Sequence, residues 1–320
     1  MPMHLLETKG QDYVQGFCII KSLNVRTSAN GSTYLDMVVG DAGGEVAAKL
    51  WSYDKTAHGE YQPGQIIKVR GTVSEWQGRD QLKITMIRLA APGDDYDLMA
   101  LVPCAPIDVE QTYADMHALV EKFENQDLKK LTLYFLDQNR AALLVHPGAF
   151  KLHHAMRGGL LYHTYTILRM AQAACRVYPQ LNPELLYCGV ILHDMAKLHE
   201  LEADELGLCR GYTVAGNLLG HIAMGVAHIE TAARELAIDP YIALMVEHMV
   251  LSHHGEPDTG SPVRPMFPEA DALSELDMLD ARMFIFSDHL RDISSGAFTD
   301  RIWALDNRKI FNHGLAPQGE

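Results

Sequence analysis

"GVILHDMAK", residues 189–197, runs an apolar tetrad straight into a histidine, an aspartate and, three residues on, a lysine. An imidazole and a carboxylate buried after such a run are costly unless something pairs with them, so this stretch demands partners elsewhere in the chain. Just upstream, "NPE" supplies a helix start, with Asn182 as N-cap and Pro183 at the first helical position. The motif is therefore expected on a helix. Adjacent helical residues point about 100° apart, and a cation between those two directions is within reach of both His193 and Asp194. The second oxygen of Asp194 can then bridge to another cation.

Two ligands do not complete a site. The rest of the sequence offers His163 in "GGLLYHT", His221 in "GNLLGHI", His253 and His254 in "VLSHHG", and Asp277 in "LSELDMLD". Each lies in a mostly apolar segment where an unpaired charge is expensive. Of the sixteen histidines, eleven fall between His146 and His254. Imidazole and carboxylate together suit Mn²⁺, Fe²⁺, Co²⁺ or Zn²⁺ better than an all-oxygen site for Mg²⁺ or Ca²⁺.

Outward from the motif, residues 107–320 carry a 3.6-residue apolar period and few strand signals. Helices are expected over about Gly159–Tyr178, from Asn182 through the motif, over about Gly216–Ala237, from Asp239 to Gly255, and from near Pro268 through "SDHL". Residues 1–90 read differently. "GFCIIKSLNVRT", "STYLDMVVGD", "EVAAKLW", "QIIKVRGTVSEW" and "QLKITMIRL" are short and rich in β-branched residues, and "ANG", "DAGG", "QPG" and "QGRD" separate them. Five such strands predict a small all-β barrel of the OB-fold type. "APGDDYDLMALVPCAP", with three prolines and an acidic cluster, marks residues 91–106 as a linker. The expectation is a two-domain chain, an OB-fold barrel followed by an all-α helical bundle.

Composition narrows the class. With 48% apolar and 21% charged residues over 320 positions, this is a soluble globular profile. No signal peptide and no bilayer-spanning run is read. The five cysteines, Cys18, Cys104, Cys175, Cys188 and Cys209, form no C-x-x-C pair. That argues against a disulfide framework or a cysteine-zinc site, and fits a reducing cytoplasm. The net charge of −14 is uneven, +1 over residues 1–90 and −15 over residues 91–320. The first segment can face a polyanion without large repulsion; the second needs cations to do so.

The order H…HD…D resembles the HD-domain metal-dependent phosphohydrolases, and the histidines of "GNLLGHI" and "VLSHHG" resemble those of its two-metal members. "HHAMRGGLLYHT", "LLYCGVILHDMAKLHEL", "GSPVRPMFPEADALSELDMLDARM", "GAFTDRIWALDNR" and, in the barrel, "NGSTYLDMVVGDAGGEVAAKLW" are similar to the YhaM-type 3′→5′ exoribonucleases over about residues 12–311. The resemblance implies a first metal site of His163, His193, Asp194 and Asp277. Asp194 would bridge to a second metal held by His221 and His253, with His254 as a further candidate. It also implies hydrolysis of the terminal phosphodiester of single-stranded RNA, with single-stranded DNA an open alternative, to nucleoside 5′-monophosphates. Two divalent ions would be the cofactors, Mn²⁺ first and Co²⁺, Fe²⁺ or Zn²⁺ as alternatives. The oligomeric state stays open.

The remaining residues carry paired readings. Lys197 either forms an i,i+3 ion pair with Asp194 or contacts substrate phosphate beside the metals as a catalytic group. His153, His154 and Arg157, ahead of the "GGLLYHT" segment, are placed at the substrate backbone, with a loop role as the alternative. Asp280, one turn after Asp277, is expected as an ion-pair partner, with direct metal ligation as the alternative, and His199, His228 and His248 as structural. In the barrel Tyr34, Trp51 and Trp76 are candidates to stack on bases, and Arg79 to touch phosphate. Two rival functions remain at this level: a phosphohydrolase of nucleotides or cyclic nucleotides with a sensing barrel, and a non-catalytic nucleic-acid binder with a structural metal site. Turnover of oligonucleotides separates the first from the exonuclease reading; turnover of any kind excludes the second.

Overall fold

The computed structural model describes residues 13–28, 30–76, 79–150 and 154–315, with Trp76 and Arg79 described for their backbone alone. The chain divides after Cys104 into two compact units.

In the first unit, β1 (Val14–Thr27), β2 (Thr33–Asp41), β3 (Gly44–Leu50), β4 (Ile66–Trp76) and β5 (Arg79–Leu89) close into a barrel in the order β1-β2-β3-β5-β4. The long β1 makes closure possible. Its first half pairs with β4 and its second half with β2, across a bulge between Ile20 and Ser22. The parallel pairing of β3 with β5 shuts the ring. Alternation sorts the side chains as strand geometry requires: on β3, Val46, Ala48 and Leu50 are buried while Ala47 is exposed. The interior is filled by Ile20, Leu35, Met37, Val39, Ile67, Val69, Leu82 and Ile84. A one-turn helix, α1 (Lys55–His58), sits between β3 and β4, capped by Asp54. This is the five-stranded arrangement expected of an OB-fold.

Residues 91–104 carry defined contacts to the barrel. Arg88 grips Asp94 through two hydrogen bonds of 2.6 and 2.7 Å, Tyr96 packs on Phe17 at 5.0 Å, and Ala42 N–H donates to Ala100 O at 3.0 Å. Leu101 and Val102 are buried.

The second unit is built from α2 (Val109–Val120), α3 (Gln126–Leu143), α4 (Gly159–Val177), α5 (Pro183–Leu192), α6 (Lys197–Glu200), α7 (Val214–Leu236), α8 (Pro240–Ser252) and α9 (Pro268–Leu290) around one apolar core. Helix α5 runs through its centre, with Leu186 and Cys188 to Leu192 all buried. A helix apolar on every side belongs in an interior. Gly189 permits the fit, since a Cβ there would lie 2.2 Å from Met249 Cε on α8. Asn182 caps α5 by accepting from Leu185 N–H. Among the described residues no helix is long and apolar enough to cross a membrane.

Two expectations are corrected. His193 and Asp194 do not lie within the helix: α5 ends at Leu192, and residues 193–196 form a turn into α6. The unit is also not wholly helical, because β6 (Leu201–Ala203) and β7 (Cys209–Tyr212) form a small antiparallel hairpin.

Candidate metal centre

Four helices converge on the turn after α5. Helix α4 brings His163, the C-terminal end of α8 brings His253 and His254, and α9 brings Asp277 and Asp280. His221 arrives on α7 immediately after a break at Gly220, whose φ of 71° and ψ of 161° are glycine's own territory. The break re-aims the helix and turns His221 inward, where it is buried.

Asp194, 2% exposed, stands at the middle. Its Oδ2 lies 3.5 Å from His163 Nε2 and 3.4 Å from His193 Nε2, and its Oδ1 lies 3.4 Å from His221 Nε2 and 3.7 Å from His253 Nε2. Asp277 Oδ1 closes the first side, 3.1 Å from His163 Nε2 and 4.0 Å from His193 Nε2. The potential ligand atoms of His163, His193 and Asp277 all fall within 4.8 Å of one another, and so do those of His221, His253 and His254. One carboxylate thus separates two three-residue clusters and gives an oxygen to each.

The other ring nitrogen of every histidine is occupied. Nδ1 of His193 donates to Val190 O, and Nδ1 of His253 to Val250 O, both at 2.7 Å. His163 Nδ1 donates to Asp280 Oδ2 at 2.7 Å, His221 Nδ1 to Glu200 Oε1 at 3.0 Å, and His254 Nδ1 to Thr259 O at 3.0 Å. With the proton committed to Nδ1, a neutral ring presents Nε2 as a lone pair. Apart from His163, which its carboxylate neighbours favour as a cation, the centre is therefore lined by acceptors facing acceptors. His193 Nε2, Asp194 Oδ1, His221 Nε2 and His253 Nε2 are buried without a hydrogen-bond partner. Leaving such atoms unsatisfied costs on the order of 1–3 kcal/mol each, and only a cation satisfies all of them together. The donor set fits divalent metal ions.

Charge tells the same story. Burial alone would raise Asp194, but the charges of Lys197 and His193 outweigh it and hold the carboxyl well below its usual range. Asp277 is likewise held down against burial by His163 and its neighbours. Burial, then the nearby His193 and His254, keep His253 well below the ordinary histidine value, and burial also lowers His254. Burial works against a charged His163 as well, yet Asp194, Asp277 and Asp280 hold it well above. Lys197 stays cationic because Asp194 outweighs burial, its Nζ lying 2.7 Å from Asp194 Oδ2.

Of the residues singled out from sequence, His163, His193, Asp194, Lys197, His221, His253, His254 and Asp277 meet here. His154 does not sit at an exposed substrate surface. It is 1% exposed, with Nε2 2.7 Å from Asp280 Oδ2, so it backs the carboxylate that orients His163. Arg157 donates to Glu205 O at 3.0 Å and so binds the β6–β7 connection. His153 lies outside the described residues, and the side chains of Trp76 and Arg79 do too. Tyr34 and Trp51 stack at 4.6 Å on the barrel, Lys49 Nζ lying 5.6 and 5.4 Å from their rings, and Trp51 is 41% exposed. Sequence reading missed Glu200, which also accepts from the His221 backbone N–H at 3.0 Å. In "KLHE" it looks like an ordinary charged turn residue, and nothing local marks it.

Residues 160–282 match the HD domain family model. The chain is 36% identical over 304 residues to a protein of Oceanobacillus iheyensis named 3′-5′ exoribonuclease YhaM, covering 95% of each. It is 35% identical over 300 residues to a Bacillus subtilis protein of the same name, covering 94% of this chain and 95% of that one. A solved structure of the Saccharomyces cerevisiae mitochondrial single-stranded DNA binding protein Rim1 is 18% identical over 26% of this chain and 97% of that one, with a TM-score of 0.23. With relatives of that identity along nearly its whole length and an HD domain around the cluster of histidines and aspartates, the chain belongs to the YhaM family.

Proposed function

We propose that this protein is a metal-dependent 3′→5′ exoribonuclease that hydrolyses the terminal phosphodiester of single-stranded RNA to nucleoside 5′-monophosphates. The observation that carries the reading is Asp194, divided between two acceptor clusters. His163, His193, Asp194 and Asp277 would hold one divalent ion, and Asp194, His221, His253 and His254 a second, with Mn²⁺ the first choice for this donor set. Bound there, two such ions supply Lewis-acid polarisation of the phosphate and acidification of a water.

The protein's own groups prepare that chemistry. Asp280, Glu200 and the carbonyls of Val190, Val250 and Thr259 fix the ring planes. Lys197, a permanent buried cation at Asp194, adds positive charge where a phosphate enters. The barrel, residues 1–90, captures the strand, stacking bases on Tyr34 and Trp51 with Lys49 beside them. Residues 91–106 join it to the hydrolytic region, residues 107–320. Cysteines scattered without a C-x-x-C pair favour the cytoplasm as the site of action.

The test is direct. With Mn²⁺, the purified protein should shorten a 5′-labelled single-stranded oligoribonucleotide one nucleotide at a time and release 5′-monophosphates. A strand left intact across Mn²⁺, Co²⁺ and Mg²⁺ would refute the proposal, and hydrolysis of free nucleotides alone would point to the nucleotide phosphohydrolase instead.

A further inference from the structure

The barrel carries a second basic surface, on the side of the ring away from Tyr34 and Trp51. Strand order places β4 between β1 and β5, remote from the β2–β3 pair that bears those rings. On the outer face of β4, Lys68 and Arg70 alternate with the buried Ile67 and Val69. Across the ladder, Lys68 faces Arg88 and Arg70 faces Met86, while Phe17 and Gln15 of β1 flank them on the other side. Gln15, Lys68, Arg70, Met86 and Arg88 line a cleft of about 250 Å³.

The cations of this cleft are not equivalent. Arg88 is neutralised by its two-bonded pair with Asp94. Lys68 and Arg70 make no ion pair among the described residues. Each is instead held by neutral groups. Arg70 donates through Nε and Nη2 to Gln15 Oε1 at 3.0 and 2.8 Å and lies 5.7 Å from the Tyr13 ring, while Lys68 Nζ sits 4.9 Å from the Phe17 ring. Two cations are thus oriented by neutral groups in a chain of net charge −14, the Asp94 carboxylate that pairs with Arg88 also feeling Lys68. Residues two apart on a strand are about 7 Å apart, on the scale of the step between neighbouring phosphates in an extended strand. Beside them stand a half-exposed Tyr13 and an exposed Met86, apolar surface suited to a nucleobase.

We infer that Lys68 and Arg70 form a second contact for the phosphodiester backbone of a single-stranded nucleic acid, so that a long strand is held on two sides of the barrel. The inference rests on the exoribonuclease reading and names a surface that reading leaves unused.

The experiment uses the full chain with Mn²⁺ and a fluorescent 20-nucleotide oligouridylate blocked at its 3′ end by phosphorothioate linkages, with anisotropy followed across a salt series. Lys68→Gln combined with Arg70→Gln should weaken binding roughly tenfold at 0.1 M salt. It should also flatten the plot of log K against log salt by about 1.4, two phosphates at about 0.7 each for single strands. Hydrolysis of a trinucleotide should stay at the wild-type rate, and Lys68→Arg with Arg70→Lys should restore the slope. Wild-type binding with an unchanged slope in the Gln variant overturns the inference. So does a slope left intact while sedimentation shows the variant losing self-association, which would make the cleft a seat for the acidic half of a second copy. A wild type that binds no strand at all fails the exoribonuclease reading itself and takes this inference with it.

Discussion

The barrel and the helical unit bury their residues to the same depth but on different terms. Around Ile20, Leu35, Val39, Ile67 and Leu82 the barrel encloses side chains that need nothing further once packed. The helical unit encloses His193, Asp194 and His253 at 0–2% exposure, with acceptor atoms turned toward one another. Both interiors exclude water, yet only the first is complete on folding. The second is assembled by the apolar helix α5 and its neighbours in spite of its polar centre, and holds that centre in readiness for cations. A buried cluster of this kind lowers stability until it is filled, which argues for chemistry over packing.

The strongest way to break this contrast is Asp194→Ala. It removes the one group that gives an oxygen to both clusters, so strand hydrolysis should fall by at least about 10³-fold, some 4 kcal/mol of transition-state stabilisation. Strand binding by the barrel should stay within about twofold. Product release measured alongside anisotropy checks both, and activity within tenfold of wild type would remove Asp194 from the centre.

Stability offers a crossed pair of tests. Leu82, fully buried in the barrel, should cost about 2–5 kcal/mol when cut to alanine, and the loss should be the same with or without metal. Chelation should act the other way round. Each ion bound at a hundredfold excess over its dissociation constant contributes about 2.7 kcal/mol to the folded state alone, so stripping metal should lower the melting of the helical unit and leave the barrel's transition in place. Calorimetry of the full chain reads both transitions. If chelation moved them equally, or moved neither, the two interiors would not differ as described.

How far this was legible in sequence depends on whether a residue's environment is set nearby or far away. The five barrel strands come out to within about two residues, because alternation and glycine turns are local signals. Asn182 and Pro183 mark the start of α5 for the same reason. The motif's placement is not legible: "GVILHDMAK" continues a helical period, and no local signal marks the end of α5 at Leu192. The β6–β7 hairpin has strands of three and four residues, too short for any period to register. His154 reads from sequence as either a substrate contact or a loop residue, because its partner, Asp280, lies 126 residues away. Glu200 was overlooked although His221 is only 21 residues further on, since only the break at Gly220 brings that pair together.

The smallest effect tests whether the first cluster is tuned from behind. Asp280 Oδ2 accepts from His163 Nδ1 and from His154 Nε2, each at 2.7 Å, and all three side chains are buried. A carboxylate on the far nitrogen fixes the tautomer of a metal-binding imidazole and makes its near nitrogen a better donor. Asp280→Asn keeps the shape, removes the charge and leaves one amide oxygen for two N–H groups. Metal affinity at the cluster of His163, His193 and Asp277 should fall by about 10–100-fold. The cluster of His221, His253 and His254 takes its support from Glu200 and two backbone carbonyls and should hold its ion unchanged. Titration calorimetry with Mn²⁺ should then resolve one weakened and one unaltered phase, while the barrel's melting stays where it was. Equal weakening of both phases would mean that Asp280 braces the whole helical core and does not tune one metal, because a loosened core cannot distinguish clusters that share Asp194.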